Sequence, residues 1–90
     1  MHYVYVIKSD TDEVYIGYTS NLKRRIDHHN SDDNTSTSGR NWTLVYYEAF
    51  RSKDDATDRE AKLKRHGQAK RWLLERIENS LSPDSDGGSN

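Results

Sequence analysis

Cysteine is absent from all 90 residues. A disulfide framework and a thiolate-bound zinc are therefore excluded, and the absence fits a reducing compartment. Apolar residues are scarce as well: 31% of the chain is hydrophobic and 32% is charged. No apolar run approaches the ~20 residues that cross a bilayer, and the N-terminus lacks the pattern of a secretory signal. A soluble, cytoplasmic protein with no membrane partner is the expectation. Charge of one sign is lacking too. The formal net charge of −1 argues against indiscriminate coating of nucleic acid. What remains is one small domain with a thin core, in which nine aromatic residues must supply much of the burial.

Those aromatics concentrate where the chain alternates. Tyr3-Val4-Tyr5-Val6-Ile7 and Val14-Tyr15-Ile16-Gly17-Tyr18 both read as strands, and the polar residues from Ser9 to Asp12 join them as a hairpin. Alternation puts Tyr3, Tyr5 and Ile7 on one face of the first strand. It puts Tyr15 and Gly17 on one face of the second. A suitable register brings the phenols of Tyr5 and Tyr15 side by side, with Gly17 leaving open surface beside them for a backbone or ligand. The same pattern also suits tyrosines that simply pack on a small core.

Downstream, Thr19-Ser20-Asn21 is polar and cap-like, and Leu22 starts a helix whose apolar stripe is Leu22 and Ile26. Arg25 and His29 fall on or beside that stripe. An unpaired guanidinium there is costly, so Arg25 needs a partner or a snorkelling route to water. His29 suits the end of the helix, where the dipole favours a cation. Asn30 to Asn41 is a polar loop whose end, Thr37-Ser38-Gly39-Arg40, offers hydroxyls and a guanidinium to a phosphate. Trp42 to Phe50 reads as the third strand, covered on both faces and hence central. Leu44, Tyr46, Glu48 and Phe50 share one of those faces. Ser52 caps a second helix that runs to about His66. Its inward stripe of Ala56, Glu60 and Leu63 contains a carboxylate, which must be paired, with adjacent Arg59 for instance, or bound to a metal. A third helix runs from Gln68 to about Asn79 and packs through Ala69, Trp72, Leu73 and Ile77, with Trp72 as a core anchor. Residues 80–90 read as a disordered polar tail, which leaves a single domain over residues 1–79.

Seven basic residues lie between Arg59 and Arg76, against Glu60 and Glu75. This stripe, with Lys64 and Arg71 in it, suits contact with a phosphate backbone and equally suits a solvated helix face. The fold class is α+β: a small three-stranded antiparallel sheet flanked by helices in the order β-β-α-β-α-α. If the helices pack beside that sheet, the paired tyrosines, Arg25 with His29, and Glu60 converge. Phosphodiester hydrolysis calls for such a set. A carboxylate holds a divalent metal, a fixed cation offsets charge on five-coordinate phosphorus, and a base takes the proton of the attacking water.

Tyr3-Val4-Tyr5 followed by Tyr15-Ile16-Gly17 resembles the paired motif of the GIY-YIG nuclease superfamily in its compact, single-domain, UPF0213-like form. The run Leu22 to Asn30 resembles that family's first helix, Thr37 to Arg40 with Trp42 to Phe50 its loop and third strand, and Ala56 to Glu60 the helix with the metal-binding glutamate. Together they cover residues 2–77. The resemblance implies an endonuclease that hydrolyses DNA, as in repair, recombination or the processing of structured or single-stranded DNA. One Mg²⁺ or Mn²⁺ ion would serve it, and a partner protein could supply specificity. RNA is a further candidate substrate. Position by position it implies Tyr5 and Tyr15 as base or water-orienting groups, Arg25 as stabiliser of the transition state, His29 in phosphate or proton transfer, and Glu60 as metal ligand. Gly17, Asn30, Ser38 and Arg40 are implied as nucleic-acid contacts, to which the basic stripe adds Lys64 and Arg71. The chain departs from the motif in having Tyr3-Val4 for Gly-Ile. The competing reading is a catalytically idle nucleic-acid-binding or adaptor module of the same fold.

Overall fold

The computed structural model describes residues 1–30 and 41–82. The expected order is observed: β1 (His2–Ser9), β2 (Val14–Thr19), α1 (Leu22–His29), β3 (Trp42–Phe50), α2 (Lys53–Arg65), α3 (Gly67–Arg76) and a short α4 (Glu78–Leu81). Ser9 organises the hairpin turn. Its buried hydroxyl accepts from the amides of Thr11 at 3.1 Å and Glu13 at 3.0 Å. Asp12 turns the chain at φ 67°, a left-handed conformation that aspartate tolerates better than most residues. No helix among the described residues is long and apolar enough to cross a membrane.

The sheet is antiparallel in the order β2-β1-β3. The central strand is therefore β1 and not, as its composition suggests, β3. The reason is that helices cover both faces of β1, where Val4, Tyr5, Val6 and Ile7 are all buried. One face carries Val4, Val6 and Ile16 against Ala56, Leu63, Leu73 and Ile77 from α2, α3 and the residue that follows α3. The opposite face carries Tyr5, Ile7 and Trp42 against Tyr15, Leu22, Ile26 and Leu44.

β3 lies at an edge, and its alternation is interrupted. Val6 pairs with Tyr46 but Ile7 pairs with Leu44, so Val45 is an extra residue on β3. This bulge turns Leu44 to the α1 face while Tyr46 and Glu48 stay on the α2 face, and it separates residues that a strict period of two would group. On the α2 face Glu48 meets Arg59, with Nε and Nη2 donating to the carboxylate at 3.0 and 2.9 Å, while the Tyr46 hydroxyl donates to Glu48 at 2.7 Å. Arg59 therefore pairs across to the sheet and not with its neighbour Glu60.

α2 and α3 begin differently. Ser52 caps α2 through the amides of Asp54 and Asp55, as expected of serine before two acidic residues. α3 has no side-chain cap. Its inward residues are Leu73 and, one turn on, Ile77. Trp72 is turned about a quarter of the way round the helix from Leu73 and is 62% exposed, so it is not a core anchor. The helical run breaks at Ile77 and resumes through Leu81, which packs on the core cluster. Leu81 continues the stripe of Leu73 and Ile77 at four-residue spacing, so ordered structure extends past residue 79. Residues 83–90 of the expected tail lie outside the described residues.

The Glu48–Arg59 pair generates a pH-dependent prediction. Burial pushes the Glu48 carboxyl up, but hydrogen bonds from Arg59 and Tyr46 outweigh it and hold the group below its usual value. A depressed carboxylate stabilises the fold above its unfolded pKa and loses that contribution as pH falls through the folded value. Arg59→Ala should lower stability by about 1–3 kcal/mol at neutral pH. It should also remove part of the loss that wild type shows below about pH 4.5, as read by denaturant titration at several pH values.

Candidate active site

Antiparallel pairing sets Tyr5 opposite Gly17 and Ile7 opposite Tyr15. The Tyr5 ring leans across the space that Gly17 leaves empty. A Cβ at position 17 would stand 2.6 Å from Cζ of Tyr5 and closer still to its hydroxyl. That surface is thus filled by the protein's own phenol and does not lie open to a ligand, which corrects the expectation for Gly17. Tyr15 stacks beside Tyr5, with ring centroids 6.4 Å apart.

α1 delivers two side chains to this phenol. The Asn21 side chain accepts from the amide of Arg24 at 3.1 Å and fixes where the helix starts. Arg25 and His29, one turn apart, then face β1. Arg25 Nε donates to the Tyr5 hydroxyl oxygen at 3.1 Å, and Nε2 of His29 lies 2.8 Å from the same oxygen. With Arg25 donating into it, the phenol retains its own O–H to give to Nε2 of a neutral imidazole. The floor is completed by Trp42, whose ring lies 6.3 Å from both Tyr15 and His29. Tyr15 and His29 are closer, at 4.8 Å.

The electrostatics separate these groups. His29 is 1% exposed. Burial, then the nearby guanidinium of Arg25 and then His28, push its pKa down to about 4. It is a neutral core histidine and not the dipole-stabilised cation that its place at the helix end suggests. Tyr5 is wholly buried. Burial raises its pKa, Arg25 only partly offsets the rise, and Tyr15 and Glu60 add to it. A phenol that is both inaccessible and harder to ionise is poorly suited to act as a base. Tyr15 is half-buried and open to one side. Hydrogen bonding to Tyr5 comes first among the causes that hold the Arg25 guanidinium above its ordinary value, and Tyr15 also contributes.

Glu60 arrives from the other face of the sheet on α2. Its carboxylate lies 3.1 Å from Lys64 Nζ, and that ammonium sits 5.4 Å from the centroid of the Tyr15 ring. Glu60, Lys64 and Tyr15 thus meet at the β2 edge, near enough to Tyr5 for the carboxylate to affect its phenol. The structure therefore brings Tyr5, Tyr15, Arg25, His29 and Glu60 together. Lys64, read from the sequence as part of the basic stripe, pairs with Glu60 and lies beside Tyr15. The Glu60 to Lys64 spacing of four residues is the signal that sequence reading passed over. Asn30 serves the fold: its side chain donates to the Trp42 carbonyl at 3.1 Å and accepts from the Trp42 amide at 2.6 Å, tying the end of α1 to β3. Both ends of that amide are occupied, which corrects the expectation of a nucleic-acid contact. Arg71 is exposed and faces Glu75 loosely at 3.8 Å. Ser38 and Arg40 lie outside the described residues.

One shallow groove is polar and lined by Thr19, Asn21, Arg24, Arg25 and His28. A second is lined by Val14, Tyr15, Leu63, Lys64 and Lys70. Arg25 on the Tyr5 phenol and Lys64 over the Tyr15 ring bring cations to the half-buried Tyr15. No group of three or more His, Cys, Asp or Glu that could hold a metal occurs among the described residues. Glu60 fits a divalent ion as a one-point ligand, for a cation that keeps most of its waters and takes further oxygens from a substrate phosphate.

The profile of the GIY-YIG catalytic domain matches residues 1–72. A UPF0213 protein of Halobacterium salinarum is 40% identical over 76 residues, covering 82% of this chain and 99% of that relative. A UPF0213 protein of Staphylococcus haemolyticus is 40% identical over 65 residues, covering 70% of this chain and 79% of its own length. Among solved structures, the solution NMR structure of a UPF0213 protein from Bacillus halodurans is 32% identical. It superposes with a TM-score of 0.55 over 93% of this chain and 89% of that one.

The buried node makes two outcomes measurable. Because the folded pKa of His29 is depressed to about 4, its contribution to stability is complete above the unfolded value near 6.5 and is lost as pH falls from there to about 4. The ring protons of His29 should titrate near pH 4 by NMR. A midpoint near 6.5 would show that the ring is exposed. Gly17→Ala should cost about 1–3 kcal/mol through overpacking against Tyr5. A thermal melt unchanged from wild type would mean that Tyr5 does not lie over this glycine.

Proposed function

The chain belongs to the GIY-YIG catalytic-domain family, and on that premise we propose that it is a metal-dependent endonuclease that hydrolyses DNA phosphodiester bonds. The observation that carries this reading is Arg25 docked on the buried Tyr5 phenol, with Tyr15 stacked beside it and Glu60 near enough to act on that phenol electrostatically. The domain family supports a DNA substrate and, in general, a divalent metal. Mg²⁺ or Mn²⁺ is the ion proposed here.

In this mechanism the scissile phosphate lies across the open side of Tyr15, its neighbours running into the two cationic grooves. Arg25 is held by Tyr5 through Nε and by Tyr15, and the rest of its guanidinium can reach the phosphate oxygens. Its charge, fixed before the substrate arrives, offsets the charge that develops on five-coordinate phosphorus. The Tyr15 phenolic oxygen orients the attacking water, and as the phenolate, its own proton given up to solvent beforehand, it takes the water's proton as the leaving sugar oxygen picks one up from solvent. The water oxygen forms a bond to phosphorus as the bond from phosphorus to the leaving sugar oxygen breaks. Tyr5 and His29 are positioning groups: they hold Arg25 and exclude water beneath it. Glu60 is the residue that would hold the metal, which when bound supplies Lewis acidity and stabilises the leaving oxygen. Lys64 occupies the carboxylate until then and lies beside Tyr15, where it can neutralise a phosphate.

A nicking assay on supercoiled and branched DNA with Mg²⁺ or Mn²⁺ tests this proposal. Arg25→Ala and Glu60→Gln should each lower the cleavage rate at least a hundredfold; Glu60→Gln should leave the thermal melt nearly unchanged, whereas Arg25→Ala should also lower it, because it removes a donor to the buried Tyr5 hydroxyl. Tyr15→Phe should slow cleavage without affecting the melt. Tyr5→Phe should do both, because it leaves Nε2 of His29 buried without its partner, at about 1–3 kcal/mol. Cleavage that persists in Glu60→Gln rules out the mechanism. DNA bound by the wild type but never cut favours the adaptor reading.

A further inference from the structure

Trp72 is assigned no part in the site described above, and its placement is unusual. It stands on a charged helix with 62% of its surface in water, whereas Trp42 is 6% exposed. It also lines a groove with Arg59, Ala69, Leu73 and Arg76. Leu73 is buried and forms the floor. Arg59 is fixed on one wall by its paired hydrogen bonds to Glu48. That pairing neutralises the nearest carboxylate on the sheet side, where Arg76 also acts on Glu48 electrostatically. Glu75 points elsewhere, towards Arg71. The groove thus offers an indole face, an apolar floor and a cationic rim.

We propose that this groove is a stacking platform for an unpaired nucleobase of single-stranded DNA, with the adjoining phosphate on Arg76. The inference deepens the proposed nuclease reading, on which it rests, by naming the form of the substrate. Aromatic side chains bind single strands by stacking on base faces, and a cationic flank follows the backbone. In a duplex those faces are covered by neighbouring bases, so an exposed indole distinguishes unpaired from paired DNA. Charge complementarity selects the occupant. Arg59 and Arg76 line the groove, and no carboxylate does. The other strongly exposed aromatic, Tyr47, packs edge-on against Tyr3 and has no part in this groove.

The test is intrinsic fluorescence of the full chain titrated with oligothymidylate of about twelve nucleotides and, separately, with a blunt duplex of equal length. Oligothymidylate should quench emission from Trp72, and the quenching should be absent from Trp72→Phe, since the remaining tryptophan, Trp42, is buried. Trp72→Ala should weaken single-strand affinity roughly tenfold or more and leave duplex affinity within about twofold. Arg76→Ala should lower the salt slope by about one. An unchanged thermal melt shows that the variants fold, and Trp72→Phe should retain most of the affinity. The proposal is overturned if single strands bind without quenching, if duplex quenches as well as single strand, if neither binds, or if an acidic peptide quenches where DNA does not. Nicking activity alongside silent Trp72 fluorescence would sink this inference alone and leave the endonuclease reading standing.

Discussion

The hydroxyl of Tyr5 is the point on which the site depends. It lies on the central strand, wholly buried, and receives contacts from Arg25 at 3.1 Å and His29 at 2.8 Å. A polar group buried so deeply destabilises the fold unless its partners are supplied. Here they come from a single helix, one turn apart. The requirement runs in both directions. The phenol needs α1 docked at this angle and height, and Arg25 needs the phenol to keep its guanidinium in place. Gly17 makes the arrangement possible by lending the phenol its own side-chain volume. Four residues distant in sequence therefore depend on one another before any substrate is present.

From this dependence follows a division between shape and chemistry. The buried members, Tyr5 and His29, are driven towards their neutral forms by loss of water, which makes them good struts and poor proton carriers at neutral pH. The accessible members, Tyr15 and the rest of the Arg25 guanidinium, remain at the surface where a phosphate can reach them. Two tyrosines with the same sequence pattern differ in burial because one lies on the central strand beneath α1 while the other lies on the edge strand β2.

Much of this was legible in the sequence, for identifiable reasons. Alternation placed Tyr5, Tyr15 and Gly17 on a common face, and helical spacing placed Arg25 with His29 and Glu60 with Leu63. These are consequences of local periodicity, which the residues themselves carry. Strand order was not legible, because β3 is as aromatic and β-branched as β1 and only the packing of helices on both faces decides which is central. The bulge at Val45 was hidden as well, since an extra residue leaves no mark on composition. Trp72 was misread because apolar character was taken for burial. One step along a helix rotates a side chain by about 100°, enough to carry an indole from the core to water. Arg59 was assigned to the neighbouring Glu60, yet residues next to each other on a helix diverge, and the sheet offered Glu48 directly opposite.

Glu60 shows how the same few side chains can serve two conditions. A lone, half-buried carboxylate beside phenols is costly when unpaired, and Lys64 supplies a cation from the next turn of its own helix at 3.1 Å. An ion pair of this kind, exposed on one side, is weak, so it steadies the carboxylate without holding it against a doubly charged competitor that arrives with additional phosphate oxygens. Were a divalent ion to take the carboxylate, the ammonium would stay tethered to α2, where it now lies 5.4 Å from the centroid of the Tyr15 ring. A strong, buried pair in the same place would have made the fold more rigid and the carboxylate unavailable. The weakness of the contact would leave Glu60 available to a metal in the proposed mechanism.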